Sequence, residues 1–269
     1  MIEGRIEPMS REQIVKLRNL FRRAADKLKF PKNKYCCICD TNIGSFFRYK
    51  GGKRAPLMVA LDTIGSDVNN FGCPRCGCHD RERHLLLYLS EFGLLDRFEG
   101  AAILHFAPER RLSGIIQSKC PRRFVKADLY PTSKDIETID MLAINYPSES
   151  FDFVIANHVL EHVDDDLVAL SELRRVLKAG GYAILQTPYS NMLVQTFSDP
   201  GIDSKSARYQ AYGQEDHARL YGGDIFARIE SAGFISRVAT HEARLADIDP
   251  RKFGVNEKEP FFLFERADS

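Results

Sequence analysis

The chain lacks several things at once. No apolar run is long enough to cross a membrane as a helix, no secretory pattern opens the sequence, and no internal repeat or low-complexity tract interrupts it. Net charge is only +1 at neutral pH. These absences argue against a membrane-spanning protein, a solenoid and a purely electrostatic nucleic-acid binder, and the expected compartment is cytoplasmic. The CxxxCxxC spacing of one class of iron–sulfur protein is missing too. A further gap lies in "ILHFAPERRL", Ile103 to Leu112. It reads as a buried strand running into a tight turn, where a nucleotide-binding α/β protein carries its glycine loop, yet it holds no glycine.

What is present is an ordinary globular composition: 269 residues, 44% hydrophobic and 28% charged, enough for one large domain or a medium one with an appendage. The opening "MIEGR" resembles a factor Xa cleavage tag, so residues 1–8 are read as tag or linker and Met9 as a start. Charge is uneven. Residues 1–100 carry 18 Lys and Arg against 12 Asp and Glu, whereas residues 101–269 carry 20 against 25. A basic front therefore precedes an acidic body, either as two solvated surfaces or as a front half that meets an anionic substrate.

Residues 10–30 repeat apolar positions at helical spacing (Ile14, Leu17, Phe21, Ala24, Leu28), with Ser10 placed as an N-cap and Pro31 past the end. "FFRY" and "LMVAL" are strands or buried turns, and residues 81–98 form a second helix broken at Gly93. From residue 101 strands and helices alternate. Strands fall on "AAILHFA", "RFVKADLY", "FDFVIANHV", "YAILQTPY", "FISRVATHE" and "FFLFERA". Helices fall on Ser113 to Lys119, on Asp165 to Leu177 with "KAGG" as its stop, and on Gly222 to Ala232. This alternation predicts an open, mostly parallel sheet of Rossmann-like α/β type with an antiparallel strand at the C-terminal end.

Six of the seven cysteines lie between Cys36 and Cys78. Cys36-x-x-Cys39 and Cys73-x-x-Cys76 are two ligand pairs, each able to aim both sulfurs at one ion from a tight turn, and four thiolates suit a structural zinc. Pro74 and Gly77 shape the second turn. Cys37, Cys78 and His79 are spare candidate ligands, an iron–sulfur centre is an alternative, and Cys120 reads as a packing cysteine.

In an open α/β sheet ligands bind beyond the carboxyl ends of the strands. "VKADLY" puts Asp128 at such an end, about twenty residues past the first strand, where an acid can bind ribose hydroxyls. The order of these pieces, with "SFDFVIANHVLEHVDD" and "ALSELRRVLKAGGYAILQTP", resembles the class I S-adenosylmethionine (SAM) dependent methyltransferases, type 11 branch, over roughly residues 101–265. "CPRCGCHDRERHLLLYL", "LHFAPE" and "GQEDHARLYG" resemble a bacterial methyltransferase group with a cysteine-rich N-terminal module. The resemblance implies a zinc-binding module with its helices over residues 9–98 and a SAM-dependent methyltransferase domain over 99–269. It also implies a cofactor site at His105, Ala107, Glu109, Asp128, Leu129, Asp140, Met141 and Asn157. The departure is the first motif, where His105 stands in the acidic place and Ala107, Pro108 and Glu109 replace glycines. SAM has no phosphate for a glycine loop to cradle, so Ala107 still permits approach, with Glu109 toward the ammonium and Arg110 or Arg111 toward the carboxylate.

An alcohol acceptor must lose a proton, so His158 just past a strand end, and His217 with Asp216 in "YGQEDHARLYGGD", are the candidate bases. Arg219 and Tyr221 are candidates to grip an anionic or sugar acceptor. The long polar insert Ser190 to Tyr212 reads as a lid or substrate wall, and a further divalent metal is conceivable near Glu161, His162 and Asp164. The expected function is O-methylation of a small hydroxyl-bearing acceptor. Alternatives are an RNA methyltransferase that uses the zinc module to hold nucleic acid, and a non-catalytic binding protein with a vestigial fold.

Overall fold

The computed structural model describes residues 31–51 and 54–267. The helix expected over residues 10–30 lies outside them. A seven-stranded sheet forms the centre: β3 (Ala102–Phe106), β4 (Arg123–Asp128), β5 (Glu137–Thr138), β6 (Phe151–Ala156), β7 (Leu177–Ile184), β8 (Phe234–Ser236) and β9 (Leu263–Arg266). Their order in space is β5-β4-β3-β6-β7-β9-β8. Pairings from β5 through β7 are parallel, and β9 runs antiparallel to both neighbours. The chain moves outward from β3 to β5, then crosses back to β6. The switch point is therefore the β3/β6 boundary, where a crevice opens beyond the strand ends.

Both faces of the sheet are covered, which is why β3 reads as the unbroken run "AILHF" with every residue buried. Alternate residues feed two cores. Ala102, Leu104, Phe106, Val154 and Ala156 pack with Leu170 and Leu173 of α5 (Asp166–Val176) and Ile225 and Ile229 of α7 (Ile225–Ser231). Ile103, Phe153, Ile155 and Leu263 pack with α2 (Asp80–Glu91), α3 (Leu94–Arg97) and α4 (Arg110–Ser118) through Leu85, Leu89, Leu94, Leu112 and Ile116. Each such fully buried side chain contributes about 2 kcal/mol. The helix that follows the cysteines is thus part of the sheet's own cover. Gly93, at φ +64°, ends α2 and starts α3, as the sequence suggested.

Residues 31–79 form a smaller unit over the carboxyl edge. A hairpin, β1 (Lys34–Cys36) and β2 (Thr41–Ile43), precedes α1 (Pro56–Ala60). Buried Arg83 fastens this unit down. Its guanidinium donates to the carbonyls of Asn70, Phe71, Cys78, Phe253 and Gly254 and lies 3.9 Å from the Phe46 ring centroid.

Several local expectations change. "LMVAL" is helical, with Pro56 in the first turn. "KAGG" does not separate helix from strand: β7 starts at Leu177, and the glycines absorb a register shift against β6. A Cβ on Gly181 would lie 2.8 Å from the Lys178 carbonyl oxygen. "FISRVATHE" is a strand only to Ser236, and the connection to β9 carries α8 (His241–Arg244) and α9 (Pro250–Phe253). Residues 205–212 of the insert form α6 (Lys205–Tyr212), capped by Ser204. Cys120 is exposed, at φ +54°, rather than packed. No helix among the described residues is long and apolar enough to cross a membrane.

Candidate active site

Two concavities meet at the carboxyl edge of the sheet. The first is the crevice beyond β3, β4 and β6. Ala107 leaves β3 exposed and at φ +44°, the left-handed region where glycine is the usual occupant. Its side chain is small enough to keep the crevice open. Glu109 spans the switch point: its carboxylate accepts from His105 Nε2 at 3.0 Å and from Asn157 Nδ2 at 2.5 Å. Burial pushes this carboxyl up, but the hydrogen bond and charge of His105, with its own backbone amide and Arg81, together outweigh it and hold the pKa below the usual range. His105 is fully buried and acts on the crevice only through Glu109. Arg111 turns away, donating to the Cys76 carbonyl.

Asp128 and Asp140 stand on this edge in the same local geometry. Asp128 Oδ1 accepts from Tyr130 N at 2.8 Å, and Asp140 Oδ1 from Leu142 N at 2.9 Å. Each backbone bond fixes the carboxylate and leaves its second oxygen unengaged by the protein. Leu129 is exposed at the β4 tip, and Met141 is buried beneath. The two acids share the edge because Asp128 pairs in register with Thr138, two residues before Asp140.

The second concavity is a pocket of about 620 Å³. Its roof is the cysteine-bearing unit through Tyr49, Ala55, Met58 and Phe71. Its floor is the sheet edge at His158 and Pro188, and its far wall is the insert through Tyr209, Tyr212, Asp216 and His217. Arg54, Arg81 and Lys205 add positive charge at the lining. His158, at φ +58°, lines the pocket and directly follows Asn157, whose side chain holds Glu109.

A network of buried ionisable groups underlies the pocket. His158 Nδ1 lies 3.4 Å from Glu161 Oε1, and its Nε2 lies 3.3 Å from Glu259 Oε1. Burial and Arg81 push the His158 pKa down, but the two carboxylates outweigh them and raise it. Glu259 also faces His84 at 3.6 Å, and His84 contacts His241 at 3.2 Å. His217 differs. Its Nδ1–H donates to the Tyr212 carbonyl at 3.0 Å, so its Nε2 carries the lone pair. Burial holds this histidine below its ordinary pKa despite Glu161. That Nε2 is buried without a hydrogen-bond partner, 4.0 Å from Glu161 Oε1.

Asp216 does not pair with its neighbour His217: its Oδ2 lies 3.2 Å from His162 Nδ1. Arg219 and Tyr221 do not face an acceptor. Arg219 donates to the carbonyls of Leu160, Val163 and Asp164, and the Tyr221 hydroxyl bonds Leu160 O and Asp166. Both hold the loop after β6 in place. Sequence reasoning missed Glu259, His84 and Arg81. A signal existed for the latter two: "DRERH", residues 80–84, is five charged or titratable residues on one helix, more than a full turn, so some must face inward.

The cysteines converge. Cys36, Cys73, Cys76 and Cys78 have sulfurs within 4.8 Å of one another, and Cys39 Sγ lies 3.9 Å from Cys73 Sγ. Cys36 Sγ is 3.5 Å from Cys78 Sγ and 3.8 Å from Cys76 Sγ. Gly77 turns at φ +78°, and the Arg75 amide donates to Cys73 Sγ at 3.4 Å. Cys37 instead donates to the Arg83 carbonyl, and His79 caps α2 while stacking on Phe71.

Residues 111–185 match a family model described as a methyltransferase domain. Solved structures with a similar fold include an S-adenosylmethionine dependent methyltransferase from Mesorhizobium loti, at 15% identity and TM-score 0.48, covering 66% of this chain and 97% of that one. The YcgJ protein from Bacillus subtilis aligns at 12% identity and TM-score 0.41, covering 69% and 100%. The methyltransferase CalH, solved with S-adenosylhomocysteine (SAH), aligns at 15% identity and TM-score 0.43, covering 69% and 56%. No curated protein matches the chain.

Proposed function

We propose that this chain, which carries a methyltransferase domain, is a SAM-dependent enzyme that methylates a hydroxyl of a small acceptor held in the roofed pocket. The observation that carries this reading is the junction at His158. There a residue that lines a pocket of about 620 Å³, a size that suits a small molecule, directly follows Asn157 at the end of β6, beside the sheet's switch point. The roof and the segment through His217 wall it on two sides, which favours a compact acceptor over a nucleic-acid duplex.

The crevice fits the cofactor by the chemistry of its donors. The free oxygens of Asp128 and Asp140 suit ribose hydroxyls and an adenine amino group, with Leu129 and Met141 supplying apolar surface beside the ring. Glu109, anchored by His105 and Asn157, offers remaining acceptor capacity to an ammonium, and Ala107 leaves room for it. When bound, SAM supplies an electrophilic methyl group on a sulfonium. The chain's own part is to align the acceptor with it and to take a proton.

His158, held between two carboxylates that raise its pKa against burial, is better suited to orient an acceptor oxygen by donation than to abstract its proton. The unprotonated Nε2 at the His217 end of the pocket is better matched to proton removal, with Asp216 acting through His162. The cysteine cluster fits a structural zinc. Tetrahedral thiolates at Zn–S of about 2.3 Å stand ~3.8 Å apart, close to the separations of 3.5, 3.8 and 3.9 Å here. Cys36, Cys73, Cys76 and Cys78, whose sulfurs converge, would hold it and fix the roof, with Cys39 beside Cys73 as a fifth thiol.

The test is product analysis. Purified protein incubated with methyl-labelled SAM and fractionated small-molecule extracts should yield a labelled product heavier by one methylene, and SAH should appear in equal amount. No labelled small molecule, with label instead on added RNA, would overturn the reading.

A further inference from the structure

We infer that Glu161, His162 and His217 form a divalent-cation site, distinct from the cysteine cluster, with its open coordination positions facing the acceptor pocket. The three residues offer one ligand atom each, all within 4.8 Å of one another. Glu161 Oε1 lies 4.0 Å from His217 Nε2 and 4.0 Å from His162 Nε2. Glu161 Oε1 and His217 Nε2 are both buried and make no hydrogen bond. A buried nitrogen left bare opposite a carboxylate oxygen is costly unless something joins the two.

The surroundings prepare all three groups as ligands. His217 gives its Nδ1–H to the Tyr212 carbonyl, which leaves Nε2 bare toward Glu161. Asp216 places a carboxylate oxygen 3.2 Å from His162 Nδ1, which leaves His162 Nε2 on the same side. The Thr187 hydroxyl donates to Glu161 Oε2 at 2.9 Å, so that Oε1 is the free oxygen. Metal-bound histidines are held in this way, the second ring nitrogen given to a carbonyl or carboxylate. The two rings are perpendicular, with centroids 4.7 Å apart. His158 Nδ1 is 3.4 Å from Glu161 Oε1 without hydrogen-bond geometry, and its Nε2 remains with Glu259. An ion at about 2.1 Å from each ligand wants them ~3.4 Å apart, so each 4.0 Å pair closes by about 0.6 Å. His162, the half-buried member, has room to move.

Two imidazoles and one carboxylate suit Zn²⁺, Fe²⁺, Co²⁺ or Mn²⁺, and three protein ligands leave at least one position for an oxygen. His217 and Asp216 line the pocket, so that oxygen is a water or the acceptor's hydroxyl. This deepens the proposed function and rests on its placing the acceptor there: the hydroxyl proton is released to water from an ion-bound oxygen, and His217 acts as ligand rather than as direct base.

The test adds Co²⁺ to protein whose cysteine cluster is already zinc-loaded, with neither SAM nor acceptor present. The expected result is one further cobalt per chain, with visible d–d bands and no sulfur-to-cobalt charge-transfer band. His162→Gln and Asp216→Asn should each weaken that cobalt roughly 10–100-fold. Asp216 is exposed, so its variant tests the site without risk to folding. No cobalt beyond the zinc count, a sulfur charge-transfer band, or wild-type cobalt affinity in both variants overturns the inference. Cobalt bound as expected without methyl transfer to any small molecule would instead sink the proposed function and leave the site standing.

Discussion

The crevice and the pocket share an edge of the sheet, where Asn157 of the one is followed by His158 of the other, yet they are built by opposite means. The crevice is made of strand tips. Its acids are exposed or half-buried, each fixed by one short backbone bond, with Glu109 as a brace across the switch point. The pocket is made of additions to the sheet: a cysteine-tied roof, a helical insert and a buried network of histidines and glutamates. Strand tips are held by the ladder and change little when loops change. The pocket depends on each added part. Damage to the additions should therefore abolish acceptor use and spare cofactor binding, and damage to the tips should do the reverse.

The largest expected effect comes from the roof. Cys73→Ser should unfold residues 31–79, seen as faster proteolysis of that segment, and abolish turnover while leaving SAH affinity within a few-fold. Equal loss of SAH binding would break the separation. Next is Arg83→Ala, which strands several buried carbonyls; it should lower stability by about 3 kcal/mol or more, read by denaturant unfolding. The buried network gives a pH signature. Burial pushes Glu259 up, but hydrogen bonds from His158 and His84 hold its pKa down at about 2, against an ordinary 4.5. A folded value below the unfolded one stabilises above about pH 4.5, and this is lost as pH falls toward 2. The melting temperature of Glu259→Gln should therefore change less between about pH 6 and pH 3 than that of the wild type. The smallest effect is Ala107→Gly, which relieves a left-handed alanine and should stabilise by at most about 1 kcal/mol with SAH binding retained.

The same contrast governs what could be read from the sequence. The mostly parallel sheet, the helix break at Gly93, the antiparallel last strand and the placement of Asp128 and Asn157 at strand ends were legible, because two-sided burial writes apolar runs and turns write glycine. The pocket was not. "LMVAL" is too short to show a period, and the Glu259–His158 contact joins residues 101 apart, with no local trace. Arg219 and Tyr221 looked like acceptor-binding groups because a polar residue bonding buried carbonyls and one facing a ligand have the same letters. The cysteine spacing announced convergence, but the closeness of Cys78 depends on how the chain curls past Gly77.

The central claim is that a crevice without a glycine loop holds a sulfonium nucleoside through Asp128. Calorimetric titration of SAH into the wild type and Asp128→Ala tests it most directly. Binding by the wild type, weakened at least about tenfold in the variant, is the predicted result. No binding by the wild type, or equal affinity in both proteins, would contradict it.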